Sequence, residues 1–149
     1  MISLTLKTTS SAETEAAGAS LAKAMLEDNT LPPFVALYGD LGVGKTAFVR
    51  GFATVVAPSA LVRSPTFALV NEYRGEKTRL FHFDMYRIAD EDDLCSIGYD
   101  DYLMRDGICL VEWSENIPYA IPAHHLRVEI TKNDPEDPNS REIKIEERS

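Results

Sequence analysis

Gly39-Asp40-Leu41-Gly42-Val43-Gly44-Lys45-Thr46 packs three glycines, a lysine and a hydroxyl into eight consecutive residues. Phosphates carry dense negative charge, and holding them takes several donors in a small volume. Glycines at 39, 42 and 44 permit backbone angles and a close approach that a Cβ would forbid. Successive N–H groups can then converge as an anion nest, and a helix starting behind them adds its positive end. In such a phosphate-binding loop, or P-loop, the lysine reaches the β- and γ-phosphates and the threonine hydroxyl ligates Mg²⁺. Residues Gly39, Asp40, Leu41, Gly42, Val43, Gly44, Lys45 and Thr46 are therefore the expected nucleotide-binding set, with ATP and Mg²⁺ as its ligands.

A P-loop needs a second anchor for the metal, commonly an acid at the end of a neighbouring strand. Glu112 closes the apolar run Ile108 to Val111, and Asp84 closes the run Arg79 to Phe83. One could ligate Mg²⁺ directly or through water while the other orients the attacking water, and the sequence leaves both divisions open. Ser64-Pro65-Thr66-Phe67 lies where P-loop switches carry a hydroxyl that senses the γ-phosphate. From mechanism alone, a short Ser/Pro turn is the preferred reading. His82 sits two residues before Asp84 on the same strand face and reads as a hydrogen-bonded structural residue. Trp113 could stack near the nucleotide or simply pack at the strand end.

These groups need elements to position them. Ile2, Leu4 and Leu6 alternate with polar residues, as in a short half-buried strand. Ser10 and Glu13 have capping-box spacing, and Ala17, Leu21, Ala24 and Met25 give the following helix an apolar face. Asp28-Asn29 ends it. Phe34 to Tyr38 is a continuous apolar run, the pattern of a strand buried on both faces of a parallel sheet. The glycine loop follows directly, and Ala47 to Val56 continue as a helix. Leu69 to Tyr73 and Arg79 to Asp84 form a hairpin across Gly75. Helices are expected over Asp90 to Ile97 and Asp100 to Met104, and a buried strand over Ile108 to Val111. Leu126, Val128 and Ile130 alternate, as do Ile143 and Ile145, with Asn133 to Ser140 turning one into the other. The pattern predicts a single α/β domain over residues 1–149. Its fold class is P-loop NTPase-like, three-layered, with a mostly parallel central sheet, antiparallel hairpin strands and flanking helices.

The net charge of −9, from 15 basic and 24 acidic residues, argues against a protein that grips DNA or RNA by itself, because that grip comes largely from Lys and Arg on phosphates. Seven acids lie between Asp90 and Asp106 against Arg105 alone. That run reads as a solvated helical face or as a docking surface for a basic partner. Cys95 and Cys109 are single, with no CxxC spacing, so the sequence carries no zinc pattern and suggests a reducing compartment. The N-terminus lacks the basic and apolar regions of a signal peptide, and no apolar stretch approaches bilayer length.

Taken together the blocks resemble the TsaE (also called YjeE) family of bacterial ATPases. The matching segments are the P-loop, Ser64-Pro65-Thr66-Phe67, His82-Phe83-Asp84-Met85-Tyr86-Arg87, and Leu110-Val111-Glu112-Trp113. Ile97-Gly98, Asp101-Tyr102 and the closing alternating strand from Arg141 are also similar, so order and spacing agree over nearly the whole chain. The resemblance implies a cytoplasmic ATP hydrolase required for threonylcarbamoyladenosine formation beside the anticodon of certain tRNAs. Such a protein does not transfer the carbamoyl group. It binds the transferase TsaD in complex with TsaB, meets tRNA only through them, and supports repeated turnover by its ATP cycle. It would be monomeric alone, slow alone, and stimulated by its partners. Carried over by position, Lys45, Asp84 and Glu112 are catalytic; Thr46 and Glu112 hold Mg²⁺, with Asp84 assisting metal or water. Ser64 and Thr66 form a switch-like loop, Trp113 lies near the site, and the nucleotide approaches Ser11 at the start of the first helix. Phe67 stands where many relatives carry tyrosine, which keeps the ring and loses a hydroxyl.

Two rival functions share the P-loop. A small-molecule kinase would need a second substrate pocket and usually a lid with several arginines, and no arginine cluster occurs. A GTPase-type switch would use Thr131-Lys132-Asn133-Asp134, which fits a loose guanine-reading pattern. That segment, however, falls in a proline-bearing turn between strands, and Asp84 does not begin an Asp-x-x-Gly.

Overall fold

The structure, a computed structural model, describes residues 2–39, 42–59, 62 and 69–149. The strands are β1 Ser3–Thr8, β2 Phe34–Tyr38, β3 Val70–Arg74, β4 Arg79–Asp84, β5 Ile108–Glu112, β6 His125–Asp134 and β7 Asp137–Arg148. The helices are α1 Ser11–Glu27, α2 Lys45–Val56, α3 Glu91–Ser96 and α4 Tyr99–Met104, with short 3₁₀ turns at Ser114–Asn116 and Pro118–Ala120. The strands join one sheet in the order β1-β7-β6-β2-β5-β4-β3. Its centre is parallel, β2 lying between β5 and β6 with β4 beyond β5. Antiparallel pairings extend it on both sides, β3 on β4, and β7 on β6 with β1 outermost.

Alternation along the central strands divides the core between two faces. Val35, Leu37, Leu110 and Val128 pack against α1 and α2. Phe34, Ala36, Phe81, Phe83 and Val111 meet Leu94, Tyr99 and Ile117 on the other face. This is the helix–sheet–helix layering expected of the fold class. All five residues of β2 except Tyr38 are buried, as a strand covered on both faces requires.

Helix α1 begins at Ser10, whose side chain accepts from the Glu13 amide at 3.1 Å. Glu13 reaches back to the Thr9 amide at 2.8 Å, one residue earlier than an ordinary capping box would place it. The buried stripe is Thr14, Ala17, Gly18, Leu21, Ala22 and Met25. Ala22 thus replaces the expected Ala24, because two glycines draw α1 against α2. A Cβ on Gly18 would run into the Phe48 carbonyl, and one on Gly51 into the Glu15 carbonyl. Backbones this close pack α1 directly onto the middle of α2.

The edges depart from the sequence pattern. Leu4 is 43% exposed, since β1 is an edge strand that the helices do not cover. The expected turn over Asn133 to Ser140 is mostly strand, β6 and β7 being separated only by Pro135 and Glu136. A register shift between Lys132 and Asp134 lets Pro138 sit in β7, where an irregular ladder asks no donor of it. The acidic run forms two short helices with exposed acids, α3 capped by a side chain and α4 starting at Gly98 without one. Asp90 accepts from the Asp93 amide at 3.0 Å, and Asp93 accepts from the Ala89 amide at 2.9 Å. Cys109 is buried, and burial pushes its thiol up to about 12, as for an inert core side chain. No described helix is long and apolar enough to cross a membrane.

The α1–α2 contact gives a direct test. Gly51→Ala adds a methyl against backbone that no side-chain rotation can relieve. Overpacking of about 1–3 kcal/mol outweighs a helix-propensity gain of about 0.5–1 kcal/mol, so we expect a net loss of about 1–2 kcal/mol. Urea denaturation measures it, and a variant as stable as the parent would show that the helices do not depend on this approach.

Candidate functional site

At the end of β2 the chain turns at Gly39, with φ +149°, and α2 starts after Gly44, with φ +107°. Both angles lie in the region that side chains avoid, and a Cβ on Gly39 would also stand 2.7 Å from the Ile130 carbonyl oxygen. Lys45 opens α2 and is only 6% exposed. Its ammonium donates to the Gly39 carbonyl at 2.6 Å and lies 3.8 Å from the centre of the Trp113 ring. A carbonyl dipole and a π face thus compensate for lost hydration.

The acids arrive through the alternation of β4 and β5. Leu80 and Leu110 face the α1–α2 layer, so His82, Asp84 and Glu112, two and four residues further on, share that side. The parallel register pairs Asp84 with Glu112 at the strand ends, next to the end of β2. A crevice at the carboxyl ends of parallel strands is where α/β sheets commonly take their ligands. Here it is a cleft of ≈ 420 Å³ lined by Gly42, Gly44, Lys45, Thr46, Asp84, Glu112 and Trp113, with Ser11, Ala47 and Arg50 around it.

Glu112 is 6% exposed, and its Oε2 bonds His82 Nε2 at 2.5 Å. Nε2 must carry the proton for a carboxylate to accept there. Nδ1 of the same ring is buried and has no hydrogen-bond partner among the described residues. Asp84 is half-buried and accepts from the Tyr86 amide at 3.0 Å. Burial raises its pKa above the ordinary carboxylate value, and the Glu112 charge adds to that rise. The Tyr86 N–H, His82 and Lys45 oppose it.

The turn after β5 is fastened to the turn after β4. The Met85 amide donates to the Glu112 carbonyl at 3.0 Å, and Asn116 Nδ2 donates to the Met85 carbonyl at 2.9 Å. Trp113 adopts φ +58°, which throws its ring over Lys45, and Tyr86 packs 5.0 Å from it. Both turns therefore help hold the roof of the cleft.

Of the sequence-predicted site residues, Ser11, Gly42, Gly44, Lys45, Thr46, Asp84, Glu112 and Trp113 meet in this cleft. Gly39 bonds Lys45 from the loop's start, and Val43 is buried beneath it. Asp40, Leu41, Ser64 and Thr66 lie outside the described residues. His82, read as structural, is bound to a predicted site acid. Thr131 and Lys132 are paired with Glu142 and Arg141 in the β6–β7 ladder, and no helix follows Asp134. Arg50 was missed, although it lies four residues after Thr46 on one helix face. Arg141 was noted only as the start of a strand.

The donor set fits a magnesium–polyphosphate ligand. No group of three or more metal-binding side chains occurs among the described residues. Mg²⁺ asks for less than that, being commonly held by one or two carboxylates, a hydroxyl, water and the phosphates themselves. The Thr46 hydroxyl and the paired acids could supply that share, with Lys45 and the Gly42 and Gly44 backbone lining the same cleft.

A family model described as "Threonylcarbamoyl adenosine biosynthesis protein TsaE" matches residues 8–143. The chain belongs to the TsaE family. The TsaE protein of Bacillus subtilis is 41% identical over 96 residues, 64% of this chain and 60% of the relative. That of Haemophilus influenzae is 43% identical over 96 residues, 64% of this chain and 61% of the relative. Both matches span about three-fifths of the relatives' length. The TsaE protein of Treponema pallidum is 34% identical over 71% of this chain and 76% of its own. In structure the chain is similar to Bacillus subtilis YdiB, with a TM-score of 0.74 and 31% identity over 99% of this chain and 87% of that one. The TsaE match includes the P-loop, both strand-end acids and Arg141.

The Asp84 environment gives the second test. Its native pKa is raised, so the folded state holds the proton more tightly than the unfolded one, and ionisation at neutral pH costs stability. Asp84→Asn removes that cost while keeping an acceptor for the Tyr86 amide. The metal-free variant should melt at or above the parent temperature at pH 7, and stabilisation by Mg²⁺ with nucleotide should shrink. A clear drop in metal-free melting temperature would contradict this electrostatic account.

Proposed function

We propose that this TsaE-family chain is an ATP-binding, Mg²⁺-dependent ATPase that serves threonylcarbamoyladenosine modification of tRNA beside the anticodon. One observation carries the reading: a nearly buried lysine, a threonine and two paired strand-end acids converge on one cleft beside a glycine-built loop. The relatives are named as tRNA threonylcarbamoyladenosine biosynthesis proteins, which supports the same process here. TsaB and TsaD are the proposed partners, and tRNA is reached through them, in keeping with a net charge of −9. We assign residues 1–149 to a single cytoplasmic domain that is monomeric when alone.

Lys45 exchanges the Gly39 carbonyl for the β- and γ-phosphates, carrying its charge a short way within a preformed site. Thr46 and Glu112 hold the metal, and His82 keeps one carboxylate oxygen of Glu112 engaged so that the other faces the cleft. Asp84 assists the metal or orients the attacking water; its raised pKa marks a carboxylate that gains from a nearby cation. Bound Mg²⁺ supplies charge neutralisation across the phosphates. Trp113 covers Lys45 and restricts water at the lysine. Ser11 bounds the cleft from α1, where the nucleotide would approach, and the segment containing Ser64 and Thr66 is assigned the γ-phosphate-sensing role.

Reconstitution tests the reading. ATP hydrolysis should be slow for the isolated chain, rise on adding TsaB and TsaD, and be lost in Lys45→Ala. Glu112→Ala should harm Mg²⁺-dependent hydrolysis more than metal-free nucleotide binding. Parent-like hydrolysis by Lys45→Ala would overturn the site, whereas hydrolysis indifferent to TsaB and TsaD would remove only the partner assignment.

A further inference from the structure

Arg141 lies in β7, 98 residues from the P-loop, yet its Nε donates to the Val43 carbonyl at 2.8 Å. Nη2 of the same guanidinium reaches the Gly42 carbonyl at 3.4 Å. Nη1 donates to the carbonyls of Pro138 at 2.6 Å and Ser140 at 2.9 Å. One planar group thus joins the β6–β7 hairpin to the back of the loop through four carbonyls, two on each side.

Trans peptide geometry turns that contact into a statement about donors. The C=O of one residue and the N–H of the next point in opposite directions across a planar unit, and no cis bond occurs among the described residues. A Val43 carbonyl held toward Arg141 aims the Gly44 amide away from it, and a Gly42 carbonyl held there does the same for the Val43 amide. Donors turned from Arg141 are then available to an anion nest in the cleft that Gly42 and Gly44 line with Lys45. Gly42 and Gly44 sit at φ +78° and +107°. Glycines permit those angles and many others, so their peptide units need an outside restraint. A hydrogen bond on the carbonyl also polarises the N–H of the same peptide unit and strengthens it as a donor.

We propose that Arg141 is a positioning residue of the P-loop: by holding the Val43 and Gly42 carbonyls from behind, it aims the Gly44 and Val43 amides at the phosphates. The inference rests on the phosphate-site reading above and adds a residue from the opposite end of the chain. It requires a guanidinium, because lysine has no planar fork with which to bridge hairpin and loop at once.

The full-length chain is titrated with ADP and followed by backbone amide NMR, with calorimetry on the parent, Arg141→Lys, Arg141→Met and Arg148→Met. In the parent the Val43 and Gly44 amide protons should move downfield as ADP binds. Both Arg141 variants should stay folded by circular dichroism and bind ADP about tenfold more weakly or worse, since two amide donors to the phosphates are misaimed. Arg148, an exposed partner of Glu146 on the same strand, serves as the control, and its variant should bind like the parent. Parent-like ADP binding by either Arg141 variant, or full rescue by lysine alone, would overturn the inference. So would unmoved Val43 and Gly44 amides in the ADP-bound parent, a result that decides the matter even if both Arg141 variants unfold. Failure of the underlying reading has a different signature, namely a parent that binds no ADP or a Lys45→Ala variant that binds it as tightly.

Discussion

A string of phosphates is held in water only by dipoles and charges already aimed when it arrives, because donors that must first be ordered spend their strength on the ordering. In this chain the constraint falls on the few peptide units between β2 and α2. Lys45 ties the loop to itself through the Gly39 carbonyl, and Arg141 ties it to the distant hairpin. Trp113 closes over the lysine. Close backbone approach at Gly18, to Phe48, and at Gly51, to Glu15, sets α1 against α2, with Ser11 at the cleft and Thr14 near Gly44.

The acids are governed by strand geometry rather than by the loop. Because β4 and β5 are parallel neighbours, their last residues stand side by side, and period-two alternation puts both on the face where α2 begins. Two carboxylates so close, one nearly buried, are costly without a compensating cation or donor. His82 satisfies part of Glu112, and Asp84 responds with a raised pKa. Charge that is unfavourable at these acids would become favourable if Glu112 and Asp84 held a divalent cation, which would neutralise it.

Much of this was legible in the residues. Phe34 to Tyr38 and Arg79 to Asp84 could be bounded from apolar runs and turn residues alone, because local chemistry sets where such strands stop. The glycine loop and the strand-end acids that share the cleft could be picked out from glycine spacing and from their position after apolar runs. The His82–Glu112 bond was not legible, since it depends on β4 and β5 being neighbours, and strand order is a long-range property. Arg141 was invisible as a loop contact for the same reason. Ala22 displaced Ala24 from the buried stripe because backbone contact at two glycines, not helical periodicity, sets the rotation of α1. The proline-bearing hairpin misled for a local reason: Pro138 reads as a turn, but a register shift accommodates it in the ladder.

The central claim concerns where the phosphates go, and a crystal structure with Mg²⁺ and a non-hydrolysable ATP analogue tests it most directly. The account predicts the β- and γ-phosphates within hydrogen-bonding distance of the Gly44 and Lys45 amides and Lys45 Nζ, with the metal beside Thr46 and the acids. An analogue bound elsewhere on the chain, with Lys45 still on the Gly39 carbonyl, would contradict it.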